Sequence, residues 1–140
     1  LSEPSLTQAQ AVSRVDQLIR ETADALSPKP RLELIPYSIA PSLCLDESRS
    51  REQVVVNRKY WLRDVPKSEN MSISRQVRAF WQAQGHRITA SGNTGNPDLS
   101  GESSPDGFVL ALTWAEGDDL YLAATSPCVL PDETPAPVDR

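Results

Sequence analysis

The stretch that most limits what this chain can fold into is GFVLALTWAEGDDLYLAATSPCVL, residues 107–130. Phe108, Leu110, Leu112 and Trp114 share one side of a period-two pattern, as do Leu120, Leu122 and Ala124. Val109, Ala111, Thr113 and Ala115 take the other side of the first run, and Tyr121, Ala123 and Thr125 that of the second. The alternation breaks at Glu116-Gly117-Asp118-Asp119, which predicts two antiparallel strands joined by a tight acidic turn. One face of such a hairpin carries the large apolar side chains, so other parts of the chain have to cover it.

Candidates for that cover come earlier. Thr7-Gln8-Ala9-Gln10 has the form of a capping box, and Val12, Val15, Leu18, Ile19, Ala23 and Leu26 follow at spacings of three and four. The spacing predicts an amphipathic helix to about Leu26, stopped by Ser27-Pro28 and Pro30. Ile73, Val77, Phe80, Trp81 and Gln84 predict a second helix that starts near Ser72, or at Ser68, and ends in a left-handed cap at Gly85.

Between the helices, residues 31–39 read as a short or edge strand, because Pro36 cannot donate to a ladder. Residues 53–63 form a stronger strand, with Val54, Val56, Tyr60 and Leu62 on one face and Val55, Asn57, Lys59, Trp61 and Arg63 on the other. Arg58 interrupts the apolar side, where a bulge or an edge position is expected. His86 opens a short strand to Ala90, and residues 91–106, with Leu99 their only large apolar side chain, read as a long surface loop.

The expected order is α-β-β-α-β-β-β. Strands without helical crossovers favour an antiparallel sheet, here of about five strands with two helices packed on one face, an α+β sandwich. Residues 1–6 are expected to be a leader, 7–130 a single domain, and 131–140, with three prolines and little to bury, a disordered tail.

Several function classes fit poorly. A net charge of −5 argues against a nucleic-acid partner, and no apolar run approaches the roughly 20 residues of a membrane helix. No signal peptide is visible at Leu1, and one, if made, is expected to precede it. No nucleophile-elbow, P-loop or dinucleotide-binding spacing occurs, so no catalytic residue and no cofactor is assigned. His86, the one histidine, follows a helix-ending glycine, where capping or pairing with an acid is the commoner role. Glu116, Asp118 and Asp119 crowd one turn and would hold calcium weakly at best; acidic turns of this kind are usually solvated, and no metal is assigned. Cys44 and Cys128 lack metal-ligand and C-x-x-C spacing. Two readings remain, one long-range disulfide or two buried thiols, and the first is preferred.

The clearest binding candidate is Trp61, flanked on its strand face by Lys59 and Arg63, since an exposed tryptophan beside cations has the composition of an interface anchor. A wider basic cluster (Arg49, Arg51, Arg58, Lys59, Arg63 and Lys67) is offset by Asp46, Glu47, Glu52 and Asp64, and by itself reads as a solvated face. Trp81 and Trp114 fit core positions.

Three short stretches carry a resemblance: Ala79 to Ile88 (AFWQAQGHRI), Ser104 to Phe108 (SPDGF) and Ala124 to Pro131 (ATSPCVLP). Together they resemble small cell-envelope lipoproteins of actinobacteria, Streptomyces-like, over roughly residues 54–131. The resemblance implies export, a lipid anchor on a cysteine ahead of the mature domain, and a disulfide between Cys44 and Cys128. It implies no activity. No anchoring cysteine stands in this sequence, so an anchor is expected ahead of Leu1 or not at all. The expectation is an extracytoplasmic, non-catalytic domain, a monomer or weak dimer, that contacts a cell-surface protein through the Trp61 face and the 91–106 loop. The rivals are a small secreted hydrolase using His86 with nearby carboxylates, and an inhibitor of a secreted enzyme.

Overall fold

The capping box forms as its sequence predicts. In the computed structural model, which describes residues 6–39, 41–44 and 53–131, α1 (Gln8–Asp24) starts at Thr7. The Thr7 hydroxyl accepts the Gln10 N–H at 3.1 Å, and the Gln10 side chain accepts the Thr7 N–H at 2.9 Å. Two of the donors that a helix start leaves open are thereby satisfied. Ala11, Val15, Leu18, Ile19, Thr22 and Ala23 make the buried stripe. One 3₁₀ turn, Lys67–Glu69, leads into α2 (Asn70–Ala83), which buries Ile73, Val77 and Trp81. Gly85, at φ +86°, ends it in the left-handed region that glycine adopts without strain.

Thr22 is the one polar side chain in the α1 stripe, and its hydroxyl joins the helices. It donates to the Leu18 carbonyl at 2.8 Å and accepts the Trp81 indole N–H at 3.0 Å. Both buried polar groups are thus paired, so the largest core side chain is also held in one orientation.

Among the described residues eight strands follow in chain order: β1 (Arg31–Leu34), β2 (Ser42–Leu43), β3 (Val54–Val55), β4 (Asn57–Arg63), β5 (Arg87–Ser91), β6 (Leu99–Glu102), β7 (Val109–Trp114) and β8 (Leu120–Thr125). Six of them form an antiparallel sheet in the order β1-β4-β8-β7-β6-β5, and β2 pairs with β3 in a small second sheet. The fold is α+β, with both helices packed against one face of the large sheet. Tyr60, Leu122, Leu112 and Leu99 stand in one line across β4, β8, β7 and β6. All four are buried under the helices.

The large sheet has one strand more than expected. The stretch 91–106 is not a single loop: β5 runs on to Ser91, and β6 pairs with both β5 and β7. The weak strand signal of LSGE has a physical reason. Leu99 is only 2% exposed, but its core-facing neighbour is Gly101, where a side chain has no room. A Cβ there would lie 2.9 Å from the Arg87 carbonyl oxygen and 3.2 Å from the Trp81 ring.

Three further expectations are corrected. The strand foreseen over 31–39 stops at Leu34, and Pro36–Ile39 is a 3₁₀ turn. The irregularity foreseen at Arg58 lies earlier. Arg58 pairs with Ala124 in regular register, while Val56 separates β3 from β4 and exchanges bonds with Ser126, both backbone N–H groups donating at 2.8 Å. Trp114 is not a core residue. It has the inward parity of β7 but closes that strand at the hairpin tip, 41% exposed, with its indole N–H on Asp118 at 3.1 Å.

Cys44 and Cys128 are joined by a disulfide with Cα atoms 5.7 Å apart. It ties the end of β2 to the chain just after β8, where Val54 and Val129 exchange backbone bonds at 2.9 and 2.8 Å. Leu6 packs partly buried against the core, and its carbonyl accepts the Leu130 N–H at 3.1 Å. The rest of the expected leader and all of the tail beyond Pro131 lie outside the described residues, as do Arg49, Arg51, Asp46, Glu47 and Glu52.

Candidate functional site

The face of the large sheet turned away from the helices brings the three predicted binding residues together. Lys59, Trp61 and Arg63 alternate with the buried Tyr60 and Leu62 along β4, so all three project from this open face. Register then adds their neighbours. Trp61 lies beside Tyr121 and Thr113; Lys59 beside Ala123, Ala111 and Ser100; and Asn57 beside Thr125, Val109 and Glu102.

The two central strands, β7 and β8, present Val109, Ala111, Thr113, Tyr121, Ala123 and Thr125 outward, with no charge among the six. Val109 is 53% exposed. An antiparallel sheet face turned to water usually carries polar side chains at alternate positions, and here Thr113, Tyr121 and Thr125 supply hydroxyls but no charge. This one keeps its charges to the flanking strands.

The flank on β4 is built from stacked pairs. The edge of one ring meets the face of the other where Trp61 and Tyr121 pack at 90° with centroids 5.6 Å apart. The Arg63 guanidinium lies 5.0 Å from the Trp61 ring centre and the Lys59 ammonium 5.5 Å from that of Tyr121. Each cation is drawn to the electron-rich face of its ring. Arg63 also donates to Glu33 at 2.7 Å and lies 3.8 Å from Asp119. Lys67 donates to Asp119 at 2.8 Å, and that bond holds the Asp119 carboxyl below the usual carboxylate value. The aromatic pair is thereby held with one cation over each ring.

Tyr121 was legible only as an outward residue of its own strand. Its place beside Trp61 depends on β4 pairing with β8 across almost sixty residues of chain, which no local pattern encodes. The acidic turn bonds to its own neighbours. Asp118 accepts the Trp114 indole N–H and Asp119 faces Lys67 and Arg63. Among the described residues no three carboxylate, thiolate or imidazole groups converge as a metal site requires.

A second polar cluster gathers at the other end of the sheet, around the turn between β6 and β7. Ser103, 3% exposed, donates to Asp106 and accepts the Phe108 N–H at 2.9 Å. Asp106 accepts from Arg14 of α1 at 2.8 Å. Burial alone would raise the Asp106 carboxyl, but the bonds from Arg14 and Ser103 together outweigh it and hold the group below its usual value. His86 Nδ1 accepts the Ser104 N–H at 3.2 Å. The hydrolase rival needs His86 with nearby carboxylates, and Asp106 is near enough to act on the His86 charge, while the Ser103 hydroxyl bonds Asp106 and the Ser104 backbone N–H bonds His86. Each spends the polar atoms just named on holding the turn: the serine hydroxyl is turned to Asp106, and the imidazole lone pair at Nδ1 is taken by a backbone proton. Beside them a cleft of about 370 Å³ is lined by Gly85, Arg87, Glu102, Ser103, Ser104, Pro105 and Gly107.

No protein family, no curated protein and no solved structure matches this chain.

Proposed function

We propose that this chain is a non-catalytic domain that works outside the cytoplasm, held to the cell envelope by a lipid anchor, and binds a cell-surface protein through the open face of its sheet. The observation that carries the reading is the uncharged centre of that face. Six outward side chains on two central strands, Tyr121 among them, are neutral, and they are bordered by Trp61 and by the cations stacked on it and on Tyr121. Aromatic side chains and arginine beside desolvated neutral surface are the usual energetic centre of a protein contact. The Cys44–Cys128 bridge supports an oxidising, extracytoplasmic setting, since such bonds persist there and are rare in the cytosol. No helix among the described residues is long and apolar enough to cross a membrane.

The partner surface that fits is one that brings apolar side chains to β7 and β8 and negative charge toward Lys59. A photo-crosslinking amino acid at Val109 or Thr113, and at Ser13 on the exposed side of α1 as the control, tests this on intact cells. The expected result is one discrete crosslinked protein from the sheet positions, lost when Lys59→Glu is added, and none from Ser13. Equal labelling from both faces, or none from the sheet, would sink the proposal.

A further inference from the structure

The turn between β6 and β7 is held from two sides by groups that titrate in different pH ranges. On one side Arg14 of α1 donates to Asp106. On the other, the link from α2 to β5 supplies His86, whose Nδ1 accepts the Ser104 N–H. A nitrogen that accepts a backbone proton must carry a lone pair, so the bond exists only with a neutral imidazole whose own proton sits on Nε2. Protonation at Nδ1 removes the acceptor and sets N–H against N–H. We propose that His86 is a proton-operated latch: neutral, it holds residues 103–107 against the link from α2; protonated, it lets that end of the turn go.

The surroundings favour this direction. The charged groups acting on His86 are Arg14 and Glu21 from α1 and Asp106 from the turn; α2 contributes none of them. Arg87 and Glu102, paired with each other, line the cleft alongside. Partial burial first, and Arg14 second, oppose the imidazolium and outweigh the two acids, so the group titrates below its ordinary 6.5. A histidine held low in the folded state gives its full stabilisation above 6.5 and loses it as the pH falls through the folded value. Asp106 is held below 3.8, so its bond to Arg14 survives that step. Between the two ranges the turn is tied to α1 but free of the α2 link. The turn forms one wall of the 370 Å³ cleft, so the cleft is the part of the surface that acid reshapes.

The test is an NMR titration of the full ¹⁵N-labelled chain from about pH 7.5 to about pH 4.5, reading the imidazole nitrogens and the backbone amides together. The expected neutral form carries its proton on Nε2 and has a midpoint below 6.5. The Ser104 amide shift follows that same midpoint, and its exchange protection falls about tenfold across it. The Leu112 amide, in the middle of β7, stays unchanged. In His86→Gln the side-chain carbonyl accepts the same proton without titrating, and the Ser104 response becomes flat. A neutral imidazole protonated on Nδ1, a Ser104 amide that ignores the His86 midpoint, or a Leu112 amide that moves with it would overturn the latch. Should the variant fail to fold, the titration of the unmodified chain decides the matter alone.

Discussion

Three tryptophans in one small chain have three different environments, and the difference is the clearest residue-scale statement about function. Trp81 is the largest fully buried side chain, with its indole N–H on Thr22. Trp114 closes a strand at the hairpin tip. Trp61 is half-buried on the open face, against the ring of Tyr121 and the guanidinium of Arg63. Trp81→Ala should therefore cost about 3–5 kcal/mol, the usual range for emptying such a core position. Trp61→Ala should cost about 1 kcal/mol, on the order of an aromatic pair at a partly wet site, and should abolish partner crosslinking. Urea denaturation of the two variants separates the cases. A loss from Trp61→Ala as large as that from Trp81→Ala would make Trp61 a stability residue and remove the main anchor from the proposed contact.

At the scale of elements, β6 matters more than its composition suggests. A four-residue strand with one large apolar side chain joins β5 to the rest of the sheet, and α2 rests on it through Trp81 and Gly101. Gly101→Ala would press a methyl group against the Arg87 carbonyl and the Trp81 ring. The carbonyl belongs to the paired strand and cannot turn aside as a flexible side chain would. The expected effect is a loss of about 1–3 kcal/mol, the range for overpacking a close-fitted core, seen as a lower urea midpoint with an unchanged slope. Wild-type stability in that variant would mean that β5 and α2 shift freely, and the sheet would then be less fixed at this end than its pairing implies. The hairpin of β7 and β8 follows the opposite logic. Its alternation is complete, so its strands, its turn and its inward face were all readable locally, with Trp114 at the tip the exception.

For the whole molecule, the Cys44–Cys128 bridge spans 84 residues of sequence and joins the small sheet to the end of the large one. Cross-linking so long a loop restricts the unfolded chain by about 4–5 kcal/mol on the entropy argument, with native strain and residual structure reducing what is delivered. Cys44→Ser with Cys128→Ser should lower stability by about 2–4 kcal/mol, while both helices persist by circular dichroism, since neither cysteine belongs to the buried cluster that the helices share with the sheet. Alkylation with intact-mass analysis provides the companion test. No thiol should label before reduction, and two should label after it. Ready labelling of the native chain would withdraw the physical support for an oxidising compartment.

The sequence by itself determined whatever depends on neighbours a few positions apart: the capping box at Thr7, the two helical stripes, read to Leu26 and Gln84 where the helices end at Asp24 and Ala83, the glycine cap at Gly85, the period-two faces of β4, β7 and β8, and the outward set Lys59, Trp61 and Arg63. Those signals are local because backbone geometry repeats every 3.6 or 2 residues. Only the tertiary structure decided the sixth strand, the pairing of β4 with β8 that sets Trp61 beside Tyr121, and the meeting of Arg14, His86 and Asp106 around one turn. These rest on contacts between residues far apart in the chain. Their register follows from how buried side chains fill one shared core, and that volume exists only once the helices and the sheet have packed.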